Sequence, residues 1–189
     1  MQIRYIYSMK TELEEKLTES TAHRKSRMSI CNYVIRKEKI NELTAIAFSS
    51  SNENHVKAFW GLEFVCEKKL KLFVPYIDAF CETLPLLQND SAIRPAIKIC
   101  FFMVKSNHRK NGISLSTEQE HNIIEVLLDR LIQNEKVAAK VYAMKALFVL
   151  SKKYPWIADD LKLILAQDFP DHSAAYQSVA RNLLKKLNR

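Results

Sequence analysis

Glycine is nearly missing from this chain: Gly61 and Gly112 are the two in 189 residues. Tight hairpins, bulges and loops that wrap phosphates depend on glycine, because it enters left-handed backbone conformations without a Cβ clash. Neither GxGxxG nor GxxxxGK[ST] can be written with these two. Leu, Ala, Glu, Lys and Gln, all good helix formers, dominate instead. Strict apolar–polar alternation is sustained nowhere. Ile124, Leu127, Leu128 and Leu131 recur at i, i+3, i+4 and i+7, with Asn122, Glu125, Asp129 and Gln133 on the opposite side. The expected fold class is all-α, and 48% hydrophobic residues suffice for a sizeable core.

Polar breaks and prolines divide the chain into ten expected helices: 9–19, 21–36, 39–49, 54–72, 75–88, 91–107, 117–133, 135–153, 156–168 and 172–187. Pro75, Pro155 and Pro170 mark helix starts or ends, and residues 108–115 around Gly112 form the longest interior loop. Asn89, Asn134 and Asp171 read as caps, and Thr117-x-x-Glu120 as a capping box. Four helices open on similar phrases, in which Val56, Ile93, Val137 and Ala174 are equivalent at spacings of 37, 44 and 37 residues. The longer spacing contains the 108–115 loop. Two helices per period of this size is the pattern of HEAT and armadillo arrays, where the unit is roughly 40–47 residues. Stacked pairs shield each other's apolar stripes, with first helices on the convex side and second helices on the concave side. The expected concave row is 21–36, 54–72, 91–107, 135–153 and 172–187.

Several stretches carry a resemblance to a known family. Trp60-Gly61-Leu62-Glu63-Phe64-Val65-Cys66-Glu67-Lys68-Lys69, Asp90-Ser91-Ala92-Ile93-Arg94-Pro95, Asn134-Glu135-Lys136-Val137-Ala138-Ala139-Lys140 and His172-Ser173-Ala174-Ala175-Tyr176 resemble small bacterial HEAT-like repeat proteins. The resemblance runs over nearly the whole chain from Met9, and it implies a HEAT-like α-solenoid with no settled activity. Some similar proteins carry the label adenylosuccinate lyase. The SSxMPxKxN loop of those lyases has no counterpart, because Ser49-Ser50-Ser51-Asn52 lacks the Met-Pro and the following lysine. Residues 1–8 match neither a helix stripe nor the resemblance. They are expected to form an irregular extension to a single repeat domain over 9–189, with Met9 an alternative start.

The net charge is +8. Because basic and acidic residues interleave along the chain, this reads as an ordinary solvated surface. Cys31, Cys66, Cys81 and Cys100 stand apart in apolar helical stretches without zinc-site spacing, so buried free thiols and a reducing cytoplasmic setting are expected. No 18-residue apolar run occurs, and no membrane association is expected. The five histidines form no HExxH and no i, i+4 pair, GxSxG is absent, and no metal or cofactor is expected. His55 and His172 read as partly exposed first-turn residues. Glu63, Glu67 and Lys71, each one turn apart, read as an exposed ion-pair row.

The candidate binding residues are Trp60, Arg94, Lys98, Lys140 and Arg181, whose cations and aromatic ring could line a groove on the concave row. Trp60 also fits a core position, and Arg94 fits the HEAT-like arginine that pairs with an acidic residue of the next unit. The expected function is a non-catalytic scaffold or adaptor holding a protein or peptide on its concave face. One alternative is a nucleic-acid-binding protein related to the DNA alkylation-repair glycosylases, although their catalytic aspartate has no match within 54–72 or 135–153. The lyase reading is the other alternative, and the motifs disfavour it.

Overall fold

A computed structural model describes residues 10–168 and 172–188. Within them the chain forms ten α-helices and no strand: α1 (Glu12–Glu19), α2 (Arg24–Arg36), α3 (Ile40–Phe48), α4 (His55–Lys69), α5 (Ile77–Thr83), α6 (Asp90–Asn107), α7 (Thr117–Ile132), α8 (Val137–Leu150), α9 (Pro155–Asp168) and α10 (Ala174–Leu187). The expected extension before Met9, and Pro170 and Asp171, lie outside the described residues.

Local chemistry explains several helix ends. Thr11 accepts from the Glu14 amide while the Glu14 side chain accepts from the Thr11 amide, a reciprocal box that starts α1. Asn89 caps α6 by accepting from the Ser91 amide at 2.9 Å. Two expected caps are displaced. The box of α7 is Ser116 with Gln119, one residue ahead of Thr117 and Glu120, because the Glu120 carboxylate is turned inward to partners described below. Asn134 caps nothing, since α8 begins at Val137 after Lys136. The helix expected over 75–88 shrinks to the seven residues of α5, flanked by 3₁₀ segments at Leu70–Tyr76 and Leu84–Leu86. Each segment contains a proline, Pro75 or Pro85, which withholds the amide that a continuous helix would use.

The second helices of successive pairs, α2, α4, α6, α8 and α10, pack closely side by side, whereas α1, α3, α5, α7 and α9 touch within their own row more sparsely. A tight row beside a splayed row bends a stack toward the tight one, so the second helices form the inner face. One buried cluster runs through the whole stack from Leu13 to Leu183. Phe59, Phe73 and Phe80 are fully buried around Phe48, with ring centroids 5.3–6.5 Å apart. Each fully buried ring contributes about 1.5–3 kcal/mol. All four cysteines are buried free thiols. Burial raises each thiol pKa, that of Cys81 to about 11 and those of Cys66 and Cys100 well above the ordinary value.

Both glycines sit where another residue would collide. A Cβ at Gly61 would lie 2.7 Å from Ile30 Cγ2, so α4 approaches α2 more closely than alanine permits. A Cβ at Gly112 would lie 1.6 Å from the Ser106 carbonyl oxygen, where the 108–115 loop folds back on the end of α6. The turn from α2 to α3, where many helices use glycine, is made instead by Glu38 at φ 54°.

Candidate binding surface on the inner helix row

The stack sorts charge that the sequence mixes. The five outer helices carry fourteen Asp and Glu against three Lys and Arg, whereas the five inner helices carry fifteen Lys and Arg against three Asp and Glu. The two helix rows therefore differ in the sign of the charge they carry, a separation that the interleaving along the chain does not reveal. Consecutive helices alternate between rows, so an acidic helix followed by a basic one averages out along the chain and separates in space.

At the centre of the inner row lies Glu63 of α4, only 2% exposed. Lys98 Nζ donates to its Oε1 at 2.7 Å, and the guanidinium groups of Arg27 and Arg94 stand 3.6 and 3.7 Å from its Oε2. Three inner helices, α2, α4 and α6, thus converge on one carboxylate. Lys98 also reaches Glu67 at 3.7 Å. The rings of Phe64, Phe102 and Tyr142 close around these cations: Arg24 and Arg27 lie 5.0 and 5.2 Å from the Phe64 centroid, and Lys98 lies 5.3 Å from Phe102 and 5.6 Å from Tyr142. Burial lowers the Arg27 pKa from its ordinary value, opposed by Glu63 and reinforced by Arg94 and Arg24.

This arrangement replaces the exposed Glu63–Glu67–Lys71 row expected from spacing. The α-helix stops at Lys69, so Lys71 lies in the 3₁₀ segment and is out of helical step with Glu67. A signal was present: Glu63 is the lone charge in the apolar run from Phe59 to Cys66. Arg94 pairs with the preceding unit, not with the next one.

The other candidate residues have different surroundings. Trp60 is half-buried, and its indole N–H donates to the Ser91 carbonyl at 2.9 Å. That carbonyl stands four residues before Pro95, whose ring has no amide hydrogen to offer it. Trp60 therefore satisfies an acceptor freed by a proline inside α6, tying α4 to α6. Lys140 is 4% exposed, with its Nζ 3.5 Å from His172 Nε2 between α8 and the start of α10. Arg181 stands exposed on α10. Arg94 and Lys98 thus come together at Glu63, while Trp60, Lys140 and Arg181 stand apart from that cluster.

His55, expected to be partly exposed, is buried at the start of α4. Its Nδ1–H donates to the Ala47 carbonyl at 2.5 Å, and its ring meets Phe59 edge-on at 5.2 Å. Burial lowers its pKa below 6.5, partly offset by that hydrogen bond. His172 is half-buried and stacks on Tyr176 at 4.1 Å.

Farther along the inner face, α6, α8 and α10 enclose a groove of about 440 Å³. Phe101, Phe148, Val149 and Leu183 contribute its apolar lining, and Lys105, Lys145 and Lys186 its charged one. Lys105 lies 5.7 Å from the Phe101 centroid and Lys186 lies 5.9 Å from that of Phe148. Among the described residues no carboxylate comes within 4.0 Å of any of these three lysines. None of the seven residues was among the sequence candidates. Their spacing marks them only as parts of three separate helices, and the groove exists because those helices lie side by side.

A second buried carboxylate, Glu120 of α7, is 1% exposed. Asn107 Nδ2 donates to it at 2.7 Å, the Tyr154 hydroxyl donates at 2.5 Å, and Lys153 pairs with it. Asn107 also accepts from the Leu115 amide at 3.0 Å, so this cluster pins the 108–115 loop to α6, α7 and the turn before α9. No group of three His, Cys, Asp or Glu side chains placed to hold a metal ion occurs among the described residues. None of their helices is long and apolar enough to cross a membrane.

Residues 9–187 match the family profile described as a HEAT repeat domain. No curated protein and no solved structure matches the chain.

Proposed function

The chain belongs to the HEAT repeat family, and from that premise we propose that it is a non-catalytic scaffold or adaptor whose inner helix row holds an acidic segment of a partner protein. The separation of charge between the two rows carries this reading: a cation-rich helix row beside an acid-rich one attracts an acidic partner and orients it on approach. The apolar groove on the same face supports a polypeptide partner, because apolar side chains can leave water there while flanking carboxylates meet lysines. The buried acids support a non-catalytic role. Glu63 is enclosed by three cations, and the one aspartate on the inner helices, Asp90, is an exposed first-turn residue near Lys136.

The test is affinity capture with two variants compared against the unaltered chain. Charge reversal along the whole inner row, Lys68→Glu/Lys69→Glu/Lys145→Glu/Lys186→Glu, should abolish recovery of a stoichiometric partner, whereas Asp159→Lys with Asp160→Lys on the outer row should leave it intact. Equal recovery by all three would overturn the reading.

Aromatic rings interleaved with cations along α4, α6 and α8 favour a second reading, single-stranded or duplex nucleic acid on the same face. It requires salt-dependent binding of an oligodeoxynucleotide that weakens when Lys105 and Lys145 become alanine. Absence of binding at micromolar protein and low salt ends it. Neither reading includes turnover of adenylosuccinate, and an assay for fumarate release should give none.

A further inference from the structure

We infer that the groove between α6, α8 and α10 is the seat of an acidic amphipathic helix, whose apolar stripe enters the groove and whose carboxylates meet Lys105, Lys145 and Lys186. The inference rests on the acidic-segment reading and adds its location and the shape of its occupant.

Three observations carry it. The first is form. The groove is lined by residues of three neighbouring helices of one row, and its 440 Å³ falls within the range of ligand-holding pockets. A helix presents apolar side chains at i, i+3 or i+4 and i+7 along one stripe, which matches such a groove better than an extended chain does. The second is lining. Phe148, Val149 and Leu183 supply apolar surface that a sugar–phosphate backbone would leave wet, while an aliphatic stripe would dry it.

The third is charge. The lysines come from three different helices, and none has a carboxylate of this chain within ion-pair distance among the described residues. In addition, α8 and α10 contain no Asp or Glu at all. Lys105 and Lys186 extend over rings of the same groove, with their stems on apolar surface and their ammonium groups free to meet an incoming acid. By contrast, Arg27, Arg94 and Lys98 are already gathered on Glu63. A partner's carboxylates thus find Lys105, Lys145 and Lys186 open to ion pairing and the Glu63 cluster occupied.

The probe is a displayed library of peptides of about four helical turns, randomised at every position and selected against the whole chain in physiological salt. Enriched sequences should carry Leu, Ile or Phe at helical spacing flanked by Asp and Glu. Binding of an enriched peptide, followed by fluorescence anisotropy, should weaken at least about tenfold in Lys105→Glu/Lys145→Glu/Lys186→Glu and in Val179→Glu, a half-buried groove residue. Unchanged helical circular dichroism and melting temperature establish that these variants fold. A Lys105→Arg/Lys145→Arg/Lys186→Arg variant, which keeps the charge, should retain binding and guards against misfolding as the cause of loss.

If enriched acidic peptides ignore the groove variants but are lost in Lys68→Glu/Lys69→Glu at the far end of α4, the groove is overturned and the acidic-segment reading stands. Enrichment of basic or neutral sequences overturns both. So does a selection that yields no binder while an oligodeoxynucleotide binds with groove-dependent affinity.

Discussion

The outer and inner rows bury their apolar stripes in one shared core, yet each row also buries a carboxylate, and the two acids are held very differently. Glu120 in the outer row is met by Asn107, Tyr154 and Lys153, all close to one loop and one helix junction. Glu63 in the inner row draws Arg27, Arg94 and Lys98 from two neighbouring helices. The outer acid fastens a local loop. The inner acid fastens three repeats to one another and, at the same time, gathers cations into a face whose net sign is positive. A repeat stack can therefore use the same residue type for local closure on one side and for long-range cohesion on the other.

Replacing Glu63 by alanine should break this comparison most sharply. Three cations lose a nearly fully buried partner, and chemical denaturation should show a loss of about 3–5 kcal/mol, the cost expected when one member of a buried ion network is removed. A loss no greater than for an exposed residue would mean that Glu63 does not bind the inner row together. Gly61→Ala tests how closely that row is packed. Its methyl must displace Ile30 Cγ2 from 2.7 Å, and β-branched Ile30 has little rotamer freedom to yield, so a loss of about 1–3 kcal/mol is expected. Trp60→Phe keeps a ring but leaves the Ser91 carbonyl without its donor, and should cost about 1 kcal/mol. In the double variant with Pro95→Ala, which restores an amide at that carbonyl, the Trp60 effect should shrink.

A smaller effect concerns pH. The folded-state pKa of His55 lies below 6.5, so the unfolded chain binds the proton more tightly. The stabilisation from neutral His55 is fully present above pH 6.5 and is lost as pH falls below it toward the depressed folded value. Melting curves between pH 7.5 and 5 should show a shallower decline in His55→Gln than in the unaltered chain, and identical slopes would remove His55 from the account. The smallest effect should come from the outer row. Asp159 is 81% exposed and, among the described residues, pairs with neighbouring Lys162, so Asp159→Lys should leave the melting temperature unchanged within error.

Much of the architecture was legible in residues. The second-helix starts at Val56, Ile93, Val137 and Ala174 fall at or near the beginnings of α4, α6, α8 and α10, and the long interval between Ile93 and Val137 contains the loop after Asn107. Periodicity exposed this because each helix must hide one stripe, and that requirement is written locally. The candidate surface was less legible. Spacing along a helix could not show that Glu63 points toward Arg27, that Trp60 answers the missing amide of Pro95, or that Lys105, Lys145 and Lys186 share a groove. Each of these relations joins residues more than thirty positions apart and appears only when the helices are placed.

By itself the sequence determined the helical class, the repeat, the scarcity of turns that glycine would make, and the burial of the four thiols. These follow from backbone preference and from apolar periodicity, which act over a few residues. Tertiary structure alone decided which side chains face one another, which carboxylates are buried, and that charges mixed along the chain separate onto opposite faces. Stacking assigns alternate helices to alternate rows, and electrostatic interactions depend on distance through space, not on order along the chain.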